Sequence, residues 1–191
     1  IYSSYDFSAV RRQGGFFTNG HPIESAKHMM RMFKAFASER SALEADVEIR
    51  KRYEAVGGKA AGLELRNYDD EMSHNEEIIR SKILDKVPGI PGSRRAFITY
   101  LNLQSVARFE QLKNAIPNIA KEDAKALAEF VTIATGRPAG KGKRLASILG
   151  ATRFFWAPGY FISRFQLMGK AAQIVLPGKM SLSVRKQLAK E

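Results

Sequence analysis

From Arg94 to Ala115 the chain is apolar on nearly every helical face, with Phe97, Ile98, Tyr100, Leu101, Leu103, Val106, Phe109 and Leu112 leaving no side wholly polar. A helix on the surface of a globular protein carries one apolar stripe, whereas a helix apolar all round has to be contacted on several sides. This segment therefore predicts a central helix around which other elements are arranged. Pro117 ends it, because a helix interior does not tolerate proline.

The remaining patterning is also helical. Ile23, Ala26, Met30, Phe33 and Ala37 fall at steps of three and four, which puts them on one face. Pro22 suits a first helical position. Ser41 with Glu44 reads as a capping box that opens or continues a helix through Leu43, Ile49, Tyr53 and Val56, stopped by Gly57-Gly58. Ser73 with Glu76 reads as a second box, followed by Ile79, Ile83 and Val87. The cleanest stripe is Ala124, Leu127, Val131 and Ala134 with Phe130 beside it, terminated by Gly136 and Pro138. A short helix through Leu145, Ile148 and Leu149 follows a basic, glycine-rich turn. Phe161, Phe165, Met168, Ala172 and Val175 then recur at steps of four and three, which reads as core, and Pro177-Gly178 closes that helix. Residues 59–72 are weakly patterned. With no strand set, repeat or low-complexity tract, the expected fold is all-α, an irregular bundle of about six to eight helices without a sheet. One module over residues 1–191 is expected, with a sub-boundary at Pro88-Gly89-Ile90-Pro91-Gly92 between a near-neutral helical part (1–87) and the central helices plus basic arm (93–191).

Charge is distributed very unevenly. Of 31 Lys and Arg and 19 Asp and Glu, the last 55 residues hold eleven of the bases and one acid, Glu191. They account for +10 of the chain's +12, and the same stretch contains the only Trp within Phe154-Phe155-Trp156. Such asymmetry implies an acidic partner: a polyanion, a membrane surface or an acidic protein. Arg137, Lys141, Lys143, Arg144, Arg153, Arg164, Lys170, Arg185 and Lys186 are the residues expected to contact it. Phosphate contacts of this kind release counterions and weaken with salt. The aromatics at helical spacing, and Trp156 with them, read as core rather than as base-stacking platforms.

Chemistry-bearing constellations fail on spacing. Gly136 to Gly140 has three intervening residues where a phosphate loop needs four, and Lys141 is followed by Gly, with no hydroxyl residue on the lysine. Gly142-Lys143-Arg144 fails similarly, so the segment reads as a flexible cationic turn. His21, His28 and His74 lack metal-site spacing and read as surface or capping residues. Asp69-Asp70-Glu71 and Glu76-Glu77 flank a helix start, where negative charge favours the macrodipole. No catalytic residue, metal ligand or cofactor site is assigned, and no small-molecule substrate is indicated. A metal-dependent hydrolase is the least favoured alternative. Cysteine is absent, so there is no disulfide frame. No signal peptide or transmembrane run is read, and the initial Ile suggests a piece of a longer protein.

Several motifs, taken in order, resemble a module of the large polyvalent proteins of tailed phages and related mobile elements. They are Asp6-Phe7-Ser8-Ala9, Arg11-Arg12-Gln13-Gly14-Gly15-Phe16, His21-Pro22, Pro91-Gly92-Ser93-Arg94-Arg95-Ala96-Phe97, Leu101-Asn102, Thr135-Gly136-Arg137-Pro138, Phe154-Phe155-Trp156-Ala157-Pro158-Gly159-Tyr160 and Ser163-Arg164-Phe165-Gln166. Pro138 stands where the family commonly shows a second Gly, and Gln104-Ser105 where an Arg is expected after Asn102. The resemblance implies a non-catalytic helical module of an internal or ejected virion protein, located in the virion or the host cytoplasm. Its partners would be other modules of the same protein, other virion proteins or nucleic acid. A membrane-interacting or channel-forming segment used in genome delivery is the alternative.

Overall fold

The computed structural model describes residues 15–67, 89–151, 158–175 and 180–191. Their regular structure is entirely α-helical. In chain order the helices are α1 (Gly15–Gly20), α2 (Pro22–Ala37), α3 (Glu39–Ala55), α4 (Gly58–Ala61), α5 (Ile90–Asn114), α6 (Lys121–Ala134), α7 (Lys141–Ala151), α8 (Pro158–Val175) and α9 (Leu182–Leu188). The expected all-α fold is the observed one.

Helix α5 is the axis of the molecule. Every residue from 98 to 109 is buried, and three apolar clusters lie on different sides of it. Ala96, Tyr100 and Leu101 meet Met32 of α2. Leu103 and Val106 meet Ile49 of α3. Phe109 and Leu112 enter the largest cluster with Phe17, Leu63, Leu127, Phe130, Val131, Val184 and Leu188. There the Phe17 and Phe130 rings meet edge to face, centroids 6.3 Å apart. Each such large side chain contributes about 1.5–3 kcal/mol on full burial. Phe17, Leu63 and Val184 belong to elements far apart in sequence, so this cluster ties residues before and after 88–92 into one core.

The proline- and glycine-rich segment is where α5 begins. Gly89 precedes it with φ 91°, and Pro91 sits in its first turn, where a missing N–H costs nothing. A Cβ on Gly92 would stand 2.7 Å from the Phe36 carbonyl oxygen, so glycine allows α5 to start against the end of α2. Arg95 then donates from Nε to the Ala35 carbonyl (3.2 Å) and from Nη2 to that of Phe36 (3.4 Å). It places a cation on the carbonyl end of α2, where the dipole favours it.

One local expectation gains its direction and two are corrected. The stripe on α2 is real but faces outward: Ile23 is 78 %, Met30 61 % and Phe33 50 % exposed, while Ser25, His28, Met32 and Ala35 face the core. The reason lies in α5, whose Gln104 and Arg108 require polar groups opposite them. Helix α3 is capped by Ser38, whose Oγ accepts from Ser41 N (3.3 Å), and not by Ser41; Glu44 instead pairs with Arg40 at 2.9 Å. Lys141–Arg144 form the first turn of α7 and not a flexible turn. The second capping box with Ile79, Ile83 and Val87, the Phe154-Phe155-Trp156 cluster, Pro177-Gly178 and residues 1–14 lie outside the described residues.

Candidate functional site

The described part of the basic C-terminal stretch forms α7, α8 and α9, and the eight described cations of the nine assigned to it separate into two groups. Several are engaged internally. Arg137 donates from Nη1 to the Leu65 carbonyl (2.7 Å), and its Nη2 lies 3.9 Å from Glu64. Lys143 pairs with Glu64 at 2.5 Å and Lys170 with Glu129 at 2.7 Å. Arg185 donates from Nε to the Ile174 carbonyl (2.8 Å). Arg164 lies over the Tyr160 ring, 4.7 Å from its centroid. These five are engaged with other parts of the fold. Lys141, Arg144 and Lys186 stand exposed, and none pairs with a carboxylate among the described residues. Arg153 lies outside them.

The first turn of α7 holds three bases and no acid. Cations at a helix N-terminus oppose the macrodipole, typically by about 0.3–1 kcal/mol each. Glu64 relieves Lys143, whereas Lys141 and Arg144 keep their charge in solvent. The start of α7 is therefore a concentrated positive corner. Its position is set by α8: Gln166 accepts from Ala139 N (3.0 Å) and donates to Ala139 O (2.8 Å), so one side-chain amide closes a two-way bridge to the turn before α7. Gly142 lies directly against the same amide, leaving no room for a Cβ.

Beside this corner the surface is apolar. Leu145 is 48 % and Ile148 55 % exposed on α7, with Phe161 at 43 %, Phe165 at 54 % and Met168 at 61 % on α8. The core expected from Phe161, Phe165 and Met168 is thus overturned. Helix α8 turns Ile162, Ser163 and Gln166 inward instead, and the Phe161 and Phe165 rings pack edge to face on the outside, 4.8 Å apart. Helical spacing identifies a face but does not say which face meets the core.

A second assembly was not foreseen at all. Arg108 on α5 has a fully buried side chain, and its Nη2 lies 2.9 Å from Glu24 Oε2. Burial lowers its pKa and Glu24 opposes that shift. Gln111 bonds to both, donating to Glu24 Oε2 at 2.7 Å and accepting from Arg108 Nη1. Gln104 donates to Ser25 Oγ (2.8 Å) and to the Tyr100 hydroxyl (3.0 Å), and Tyr100 meets Thr18 Oγ1 at 2.6 Å. His28 is 6 % exposed and its Nδ1 has no hydrogen-bond partner. Burial lowers its pKa to about 4, against a raising influence from Glu24. This corrects its reading as a surface or capping residue. His21 meets Glu191 at 3.0 Å, and His74 lies outside the described residues. The groups around Arg108 and Gln104 form a buried polar seam between α2 and α5, in which Gln104 Oε1 and Arg108 Nε, like His28 Nδ1, have no hydrogen-bond partner. No group of three or more His, Asp or Glu among the described residues could hold a metal ion.

No protein-family model, curated protein or solved structure matches the chain. Among the described residues no helix is long and apolar enough to cross a membrane.

Proposed function

We propose that this chain is a non-catalytic helical interaction module whose C-terminal face contacts an anionic partner, of the kind that serves within an internal or ejected multidomain phage protein. The observation that carries the reading is the exposure of Lys141, Arg144 and Lys186 within a stretch, Phe130 to Lys190, that contains no acidic residue. The order of motifs from Gly15-Phe16 to Gln166 supports the phage context by resemblance. Several of those motif residues do structural work: Asn102 and Gln166 bridge to loop backbone, and Arg137 binds a loop carbonyl.

Binding of the chain to duplex and single-stranded DNA across a salt series tests the nucleic-acid form of this reading. The expected result is binding whose logarithm falls with log salt by about 0.9 for each phosphate contact, and which is lost in a Lys141→Glu, Arg144→Glu, Lys186→Glu variant. Absence of salt-dependent binding at low ionic strength would remove DNA from the list of partners.

A second reading, contact with an anionic membrane surface, is favoured by the exposed Phe161, Phe165 and Met168 beside those cations. It predicts co-sedimentation with anionic vesicles that Phe161→Ala with Phe165→Ala weakens. Unchanged sedimentation of that variant would count against it.

A further inference from the structure

The exposed side chains of α7 and α8 are ordered. On α8, Phe161, Phe165, Met168 and Ala172 recur at steps of four, three and four, the spacing of a coiled-coil seam, and all four are exposed. On α7, Lys141, Leu145 and Ile148 recur at four and three and are exposed too. The two helices are packed together. Gly142 abuts Gln166, and Ala146 and Ile162 are both buried. In an antiparallel pair with 142 opposite 166, residue 146 falls opposite 162. At roughly 100° per residue, this register turns Leu145 and Ile148 to the same side as Phe161 and Phe165. The pair thus presents two exposed apolar rows side by side, which by this geometry bound a shallow groove, with Lys141 and Arg144 beside the α7 row.

We propose that this groove receives an acidic amphipathic helix of another protein. The proposal rests on the reading of the C-terminal face as a contact surface and specifies its partner. Seam spacing selects a helix, whose own i, i+3, i+4 anchors fit between two such ridges. Charge selects its sign, because carboxylates flanking the apolar anchors would meet Lys141 and Arg144. A second copy seated face to face would set these cations against their own kind. A lipid surface suits a wide apolar face, whereas here Arg144 and Ser147 on α7 and Gly169 and Gln173 on α8 confine each stripe to one row. Nucleic acid would use the cations and leave Leu145, Ile148 and Met168 in water.

The test uses the whole chain and a synthetic acidic helix of about three heptads, with leucine at the a and d positions and glutamate beside them. Fluorescence anisotropy should show saturable binding at physiological salt. Phe165→Glu or Met168→Glu should weaken it at least about tenfold, as expected for a buried anchor. Lys141→Glu with Arg144→Glu should weaken it and reduce its salt dependence, while Leu43→Glu on α3 should leave it unchanged. Circular dichroism confirms that each variant retains its fold. The proposal is overturned if the acidic helix does not bind, if a lysine-flanked analogue binds equally, or if the Phe165 and Met168 variants bind as wild type. Anionic vesicles run in parallel: vesicle binding lost in Phe165→Glu, with no peptide binding, would assign the groove to lipid. DNA binding through Lys141, Arg144 and Lys186 without peptide binding would overturn the helix partner and leave the broader reading standing. Failure of every probe would overturn both.

Discussion

Glu24 Oε2 lies 2.9 Å from Nη2 of Arg108, a guanidinium with no exposed surface at all. The carboxylate is partly open to solvent, so the two ends of this pair are unequal. Removing Glu24 strands a buried charge, and Glu24→Ala should lower stability by about 3–5 kcal/mol. Arg108→Met replaces the charge with an apolar chain of similar length and should cost markedly less. Denaturant melts of the two variants measure the difference, and equal losses would show that the pair is not what holds the seam.

His28 supplies a pH dependence with a definite sign. It is buried beside Glu24 and Arg108, with Arg31 and Arg52 in range, and its pKa falls from 6.5 to about 4. The unfolded chain therefore binds a proton at this residue between those values that the folded chain does not. The stability contribution is complete above about pH 6.5 and is lost as pH falls through the folded pKa, by up to about 3 kcal/mol. Melting midpoints between pH 7 and pH 4 should fall less steeply in His28→Gln than in the wild type.

Asn102 bonds to the main chain of Arg66 in both directions, accepting from its N–H at 2.8 Å and donating to its carbonyl at 2.9 Å. Asn102→Asp keeps the shape and removes the donor. The buried carboxylate then faces a carbonyl oxygen, at a cost of about 2–4 kcal/mol. Thermal denaturation near neutral pH reads this loss, which should shrink in acid as the carboxyl is protonated.

Phe130 and Phe165 are the same residue type on opposite sides of the core boundary, at 2 % and 54 % exposure. Phe130→Ala should cost about 3–5 kcal/mol. Phe165→Ala should stay within about 0.5 kcal/mol. Similar shifts for both would mean that α8 presents a different face from the one described.

What could be read in the sequence was what periodicity and punctuation carry. The all-round apolar segment 94–115 became the central helix, and Leu127, Phe130, Val131 and Ala134 became core because a single strong stripe flanked by charge has only one way to face. The stripes of α2 and α8 pointed outward because periodicity is blind to which side the neighbours occupy. On α2 that choice was made by Gln104 and Arg108, some eighty residues away, which bind Ser25 and Glu24. Buried polar pairs of this kind leave no local signature. For the candidate surface, the charge excess was visible in composition. Its division into engaged cations and the exposed Lys141, Arg144 and Lys186 depended on where Glu64 and Glu129 came to lie.

Asn102 holding Arg66 and Gln166 holding Ala139 share one design, in which a helix side-chain amide grips a loop by its peptide group alone. Such a grip is indifferent to the side chain on the loop residue it holds. As far as these clamps are concerned, positions 66 and 139 are open to replacement, whereas neither amide can give way even to its own acid. The clamps thus fix where the two loops run without reference to their side chains, and the limits on those side chains come from elsewhere: Arg66 and Ala139 are both buried, and Arg66 donates from Nη2 to the Thr135 carbonyl at 2.9 Å.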